Sequence, residues 1–220
     1  MGATITEAKK ALRKQISSNL SKVSQKSIIE QSIRVADRLR TLSQYRDAVK
    51  IGFFMNMPQG EVKTLSLIKA AFEDEKLVFL PKCSKISETN QHKTFASQDM
   101  HLDMLFMPGY EEVIKLKPQG PYRLLEPQSG RNALSNEFKG LDLIIVPGVA
   151  FTKDCRRLGH GKGFYDDYIK RHAAYEDNEK KRPSLIGVGL REQVVDDLPV
   201  DDHDEQLDIL IADGEVYYKN

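Results

Sequence analysis

Arg157-Leu158-Gly159-His160-Gly161-Lys162-Gly163-Phe164-Tyr165-Asp166 sets three glycines alternately with His160 and Lys162. Just upstream, Leu141-Asp142-Leu143-Ile144-Ile145-Val146-Pro147-Gly148 is an apolar, β-branched run closed by Pro-Gly, the pattern of a buried strand. Downstream, residues 164–171 read as a helix. Strand, glycine-rich loop and helix in that order aim backbone N–H groups and a helix N-terminus at one point, where an anion, most often a phosphate, is held. Arg157 and Lys162 add cationic donors. Asp166, in the first helical turn, is placed to hold a metal ion that accompanies phosphates. Glycine allows φ above zero and close backbone approach to a ligand. A tight turn would need the same glycines for geometry alone, but the two interleaved side chains and the bracketing Arg157 and Asp166 favour the anion site. It is neither a P-loop, because Lys162 is followed by Gly163 rather than Ser or Thr, nor a dinucleotide fingerprint, because the glycines recur at every second position.

Working outward, the chain alternates strands and helices. Residues 6–22 form a helix with Leu12, Ile16 and Leu20 as an apolar stripe. Lys9 and Arg13 lie four apart on a neighbouring face and would either clamp a polyphosphate or line a solvated basic face. A second helix spans residues 27–42, with Ser27 and Glu30 as a capping box and Ile29, Ile33, Ala36 and Leu39 as its core face. Residues 49–55 read as a buried strand, and 56–61 as the loop at its C-terminal end, where ligands bind in open α/β sheets. Glu61 there is either a contact to a ligand's N–H groups or a carboxylate favouring the next helix dipole. That helix covers 64–72, with Leu65, Ile68, Ala71 and Phe72 facing the core.

Residues 77–81 are the next strand, 82–100 an exposed polar insertion, and 102–107 an outer strand. Four prolines between 108 and 140 predict loops, one short helix near 111–114 and a path crossing near the site. Residues 175–183 are charged and solvent-facing. A strand at 184–190, a connector at 193–199 and a last strand at 207–212 complete the pattern. The expectation is one domain over residues 1–220, an α/β fold with a mostly parallel sheet and helices on both faces.

Composition narrows the function classes. Lys plus Arg number 33 against 32 acids, so nothing demands nucleic acid. The charge is uneven: residues 1–50 hold eleven basic and four acidic side chains, whereas 196–208 hold seven acids and no Lys or Arg. That acidic stretch either completes a Mg²⁺ site with Asp166 or is a solvated loop. Two cysteines, Cys83 and Cys155, are too few for a disulfide framework and read as free thiols in a reducing compartment. No apolar run approaches the ~18 residues of a membrane span, and the N-terminus lacks a signal-peptide core. His203 is too isolated for a zinc ligand. The chain reads as cytoplasmic, with a mitochondrial location as the alternative.

These residues resemble the 5-formyltetrahydrofolate cyclo-ligase (5,10-methenyltetrahydrofolate synthetase) family. The likeness is carried by residues 157–166, by Pro147-Gly148-Val149-Ala150-Phe151, by Lys9-Lys10-Ala11-Leu12-Arg13, by Glu61-Val62-Lys63-Thr64 and by Pro199-Val200-Asp201-Asp202-His203-Asp204. The glycine segment is the specific one, and the pieces fall in the family's order. The resemblance implies a fold shared with sugar-phosphate isomerases and CoA transferases. It implies ATP- and Mg²⁺-dependent conversion of 5-formyltetrahydrofolate, with or without a polyglutamate tail, to 5,10-methenyltetrahydrofolate with release of ADP and phosphate, by a monomer with no nucleic-acid or membrane partner.

Residue by residue, it makes Lys9, Lys10 and Arg13 contacts to ATP. Arg157, Leu158, Gly159, His160, Gly161, Lys162, Gly163, Phe164 and Tyr165 become the ATP loop, of which His160 to Phe164 also line the folate side. Glu61 becomes the pterin contact, with Met55 or Met57 as its apolar neighbour, and Asp166 and Asp204 become Mg²⁺ ligands. Arg157 and Lys162 would stabilise the phosphoryl group during its transfer to the formyl oxygen, before N10 closes the ring; no side chain acts as nucleophile. Two positions depart from the family: His160 stands where Arg is frequent, and Phe164 where Tyr is common. Two other classes stay open on the residues alone: an isomerase or transferase of the same fold, which needs no ATP, and a binding module without turnover.

Overall fold

The computed structural model describes residues 4–89, 91–94, 98–119, 123–175, 182–201 and 204–220. Helix α1 (Ile5–Leu20) starts at a full capping box, Thr4 with Glu7. Helix α2 (Gln25–Thr41) is capped by Ser24, whose side chain accepts from the Ser27 N–H. The Ser27–Glu30 capping box is therefore corrected: the helix begins one turn earlier than the sequence reading placed it. Of its expected core face, Leu39 is buried and Ala36 partly so, but the N-terminal half is one residue out of phase. Ile28, Val35 and Leu39 are buried, while Ile29 and Ile33 are half exposed. Adjacent Ile28 and Ile29 let two overlapping apolar rows fit the same helical period.

A short helix α3 (Ser43–Asp47) leads to strand β1 (Lys50–Gly52). The expected strand at 49–55 is thus shorter, although Phe53, Phe54 and Met55 remain buried beyond it. Helix α4 (Thr64–Glu73) buries Leu67, Ile68 and Ala71; Leu65 and Phe72 are only partly covered. Strand β2 (Leu77–Lys85) runs four residues past the expected end. It passes through α5 (Ile86–Thr89) and returns as β3 (Met100–Met107), antiparallel to it along eight residue pairs. Much of the predicted exposed insertion is therefore strand and short helix; residues 90 and 95–97 of it lie outside the described residues, as do Pro121, 176–181, Asp202 and His203.

The remaining elements are α6 (Tyr110–Ile114), the ribbon β4 (Pro118–Gln119) and β5 (Leu124–Leu125), β6 (Leu143–Val146), the hairpin β7 (Ala150–Thr152) and β8 (Arg157–Leu158), α7 (Phe164–Ala174), β9 (Ser184–Gly189), a 3₁₀ turn (Arg191–Gln193), β10 (Val194–Val195), β11 (Ile209–Ala212) and β12 (Glu215–Tyr218). Among the described residues the main sheet has seven strands in the order β12-β11-β9-β6-β1-β2-β3. The run from β11 to β2 is parallel and the two edge strands are antiparallel.

Alternation along the strands builds two cores. Leu143 and Ile145 of β6 face α2 and α4, while Ile144 and Val146 face α7. Each such fully buried aliphatic side chain contributes on the order of 1.5–3 kcal/mol. The sequence expectation of helices on both faces of a mostly parallel sheet therefore holds. Two features escaped it. Strand β12 follows the segment expected to be last. The hairpin β7–β8, joined by β10 in a three-stranded sheet, separates β6 from the glycine loop. The Phe151 ring of that hairpin lies against Gly148, Gly187 and Gly189, where an added Cβ would come within 2.6–2.9 Å of it or, at Gly187, 2.4 Å of Leu207. Those glycines let the hairpin sit close on the sheet.

Candidate functional site

The site lies at the C-terminal ends of β1 and β6, where an open α/β sheet leaves room for ligands. Arg157 projects from β8 rather than from the loop. Its side chain is buried; Nη2 donates to Asp166 Oδ1 at 2.6 Å and Nη1 to the Pro147 carbonyl at 3.3 Å. Among the described residues its buried Nε has no hydrogen-bond partner, an arrangement that costs free energy. Burial opposes charge on Asp166, but the Arg157 guanidinium beside it and the Glu205 N–H, 3.2 Å from Oδ1, hold its carboxyl below the usual range.

The loop itself is shaped by two left-handed glycines. Gly163, at φ 67°, is the N-cap of α7, and no side chain caps that helix. Gly161 has φ 92°, and a Cβ there would meet the Arg13 guanidinium at 3.2 Å. The backbone is thus left bare where α7 presents its first N–H groups, the geometry that accepts an anion. Helix α1 crosses the loop. Arg13 Nε donates to the Gly159 carbonyl at 2.8 Å, and Lys9 Nζ sits 2.6 Å from Asp204 Oδ2. Ile16 of α1 packs with Val149, Ala150, Leu158 and Leu198, which fixes the helix against the hairpin. Lys162 and Lys10 are exposed. The basic face of α1 is therefore split: Lys9 and Arg13 turn to the site and Lys10 to solvent. Leu158 buries its side chain in the core, so only its backbone can border the loop.

The second half of the site is Glu61, 7% exposed. Its Oε2 accepts the Met57 N–H at 2.7 Å, and its Oε1 lies 3.5 Å from His160 Nε2. Burial pushes this carboxyl up to about 7, against the Met57 N–H and the Lys63 charge. His160 is about half exposed; partial desolvation, then Arg157 and Arg13, hold it below its ordinary value. Of the two methionines singled out by sequence, Met55 packs in the larger core, whereas Met57 stays half buried beside Glu61.

Tyr165 and Phe164 follow the loop. Burial raises the Tyr165 phenol well above its ordinary value, with Cys83 and Glu61 adding to the effect. Cys83 and Glu126 act on the Tyr165 phenol from nearby, a neighbourhood that sequence reasoning missed. The Cys83 N–H is 3.4 Å from Glu126 Oε2, and burial together with Glu126 pushes the thiol up to about 12. The only signal for them was the proline-rich path expected to pass near the site, which contains Glu126-Pro127.

Two candidate metal ligands, Asp166 and Asp204, are brought to the same corner, since Glu205, next to Asp204, donates to Asp166. Each carries a cation partner, Arg157 and Lys9 respectively. Among the described residues no cluster of three or more His, Cys, Asp or Glu forms a protein-only metal cage. Two carboxylates beside an anion site suit a hard ion that keeps water and ligand oxygens, as Mg²⁺ does. The arrangement can bind a polyanion on the glycine loop and a ligand with N–H donors on Glu61, with His160 between them.

Comparison with known proteins is consistent along the whole chain. A family model described as the 5-formyltetrahydrofolate cyclo-ligase family matches residues 5–213. A Saccharomyces cerevisiae protein named 5-formyltetrahydrofolate cyclo-ligase is 35% identical over 96% of this chain and 98% of its own. One of that name from Mus musculus is 33% identical over 93% of both. The solution structure of Aquifex aeolicus 5,10-methenyltetrahydrofolate synthetase is 25% identical, covers 96% of this chain and 93% of its own, and superposes with a TM-score of 0.69.

Proposed function

We infer the finer chemistry from one premise: the chain belongs to the 5-formyltetrahydrofolate cyclo-ligase family and is a ligase of folate metabolism acting on a small-molecule folate. We propose that it converts 5-formyltetrahydrofolate to 5,10-methenyltetrahydrofolate with ATP and Mg²⁺, releasing ADP and phosphate. The observation that carries this reading is the meeting of two unlike subsites within 3.5 Å, a cation-lined glycine loop and a buried carboxylate.

An N-formyl oxygen is a poor leaving group; the nucleotide supplies the phosphoryl group that makes it a good one, after which N10 closes the ring and phosphate departs. The protein's part is alignment and charge, as in other phosphoryl transfers. Arg157 and Lys162 face the transferring group. Arg157 keeps N–H donors on Nη1 and Nη2 beyond those given to Pro147 and Asp166. Lys9 and Arg13, with the backbone of residues 157–165, hold the nucleotide, and Lys10, on the solvent side of α1, adds positive charge nearby. Asp166 and Asp204 would hold Mg²⁺, which would supply positive charge beside the phosphates. Glu61 accepts from the pterin, Met57 rather than Met55 covers it, and His160 to Phe164 border the folate.

We read residues 1–220 as one catalytic domain, acting as a cytoplasmic monomer without nucleic-acid or membrane partners, on substrate with or without a polyglutamate tail. Its sheet, parallel from β11 to β2 with antiparallel edges, suits the sugar-phosphate isomerase and CoA transferase-like folds.

The test is the near-ultraviolet absorbance of the methenyl product from 5-formyltetrahydrofolate and MgATP. An ATP-dependent rise is expected, falling at least about 100-fold in Lys162→Ala or Asp166→Ala, the scale of losing one transition-state charge contact. No rise, with ATP still bound, would leave a binding module.

A further inference from the structure

The two carboxylate oxygens of Glu61 have different neighbours. Oε2 takes the Met57 N–H of its own loop; Oε1 faces His160 of the glycine loop. A ligand presenting N–H donors to Glu61 would approach Oε1 beside His160 and crowd the imidazole from its place. His160 follows Gly159 and precedes the left-handed Gly161, so it rides on the backbone that would wrap the phosphates. We propose that His160 is a positioning residue coupling the two subsites: it rests on Glu61 when the folate pocket is empty, and folate binding releases it towards the nucleotide phosphates.

The charges around the pair give this coupling a direction. Glu61 is faced by Lys63 and the Tyr165 phenol as well as by His160. His160, about half exposed, loses part of its solvation to the loop and is faced by Arg157 from β8 and Arg13 from α1, and all three disfavour its protonation. In the empty site, therefore, His160 is biased towards neutrality. Bound phosphates would offset both guanidinium charges and favour the imidazolium. Released from Glu61, His160 then takes a proton from solvent and donates to the phosphates. Nucleotide should bind more tightly with folate present and, by linkage, folate more tightly with nucleotide present. Proton uptake should accompany nucleotide binding near pH 6.5. A permanent cation such as Arg at this position could couple the sites but could not titrate.

This inference rests on the functional reading above, and one experiment separates their failures. Calorimetry measures Mg²⁺-loaded, non-hydrolysable ATP analogue binding with and without saturating 5-formyltetrahydrofolate, at pH 6.5, in buffers of differing ionisation heat. Wild type is expected to show about tenfold tighter nucleotide binding with folate, within the usual range of coupling between sites, and net proton uptake. His160→Ala is expected to bring the coupling below about twofold, and His160→Arg to retain it without proton uptake. Undiminished coupling in His160→Ala, or undiminished uptake in His160→Arg, would overturn the coupling and leave the function intact. Wild type that binds neither ligand would overturn both.

Discussion

At the residue scale, Glu61 shows function opposing stability. Its carboxyl is buried and titrates near 7 in the fold, against 4.5 as its ordinary value. The folded-state pKa is raised, so its contribution is fully present below pH 4.5, where the acid is neutral in both states, and is lost as pH rises through 7. Glu61→Gln keeps an oxygen for the Met57 N–H and removes the titration. In the ligand-free protein it is expected to be stabilising at pH 8, by up to roughly 3 kcal/mol, and close to neutral at pH 4. Urea unfolding at the two pH values checks this; a variant less stable than wild type at pH 8 would contradict it. The same substitution is expected to weaken folate binding. Glu61 was legible as a loop carboxylate after a strand because position relative to the sheet is a local property. Cys83 and Glu126 were not, because their meeting depends on where a long irregular segment returns, and no periodicity encodes that.

At the element scale, the glycine loop works only because α1 and α7 hold it from two sides. Its glycine pattern and cations were readable from spacing alone. The β7–β8 hairpin that carries Arg157 was not, since strands of two or three residues leave no period to count. Ile16 joins α1 to the hairpin, so Ile16→Ala is expected to cost about 2–4 kcal/mol. It should raise the KM for ATP several-fold while changing that for folate less; equal effects on both would mean that α1 serves the fold and not the nucleotide. Gly161→Ala forces a side chain into φ 92° and against Arg13. It should destabilise by about 1 kcal/mol or more and weaken nucleotide binding, read by titration calorimetry. On α7, His172 is buried and accepts the Leu141 N–H at 2.7 Å, and burial pushes its imidazole down to about 4. Its stability contribution is present above pH 6.5 and is lost as pH falls towards 4. His172→Gln is expected to flatten that acid limb in denaturation midpoints; an unchanged limb would place the acid sensitivity elsewhere.

At the scale of the whole molecule, the order of the parallel strands puts the loop after β1 beside the end of β6. Glu61 and His160, nearly 100 positions apart, meet for that reason. The fold class was legible because apolar runs alternate with amphipathic helices. The antiparallel edges were not, because β2 and β3 are a long hairpin whose polar outer half reads as loop. Among the described residues no helix is long and apolar enough to cross a membrane. Sedimentation equilibrium is expected to give the mass of one 25.0 kDa chain; a dimer would revise the monomer reading.

The central claim is that the site transfers a phosphoryl group to the formyl oxygen, and isotopic labelling tests it directly. With heavy oxygen in the formyl group of 5-formyltetrahydrofolate, mass spectrometry of the released phosphate is expected to find one labelled oxygen per methenyl product formed. Unlabelled phosphate, with methenyl product still accumulating, would contradict it.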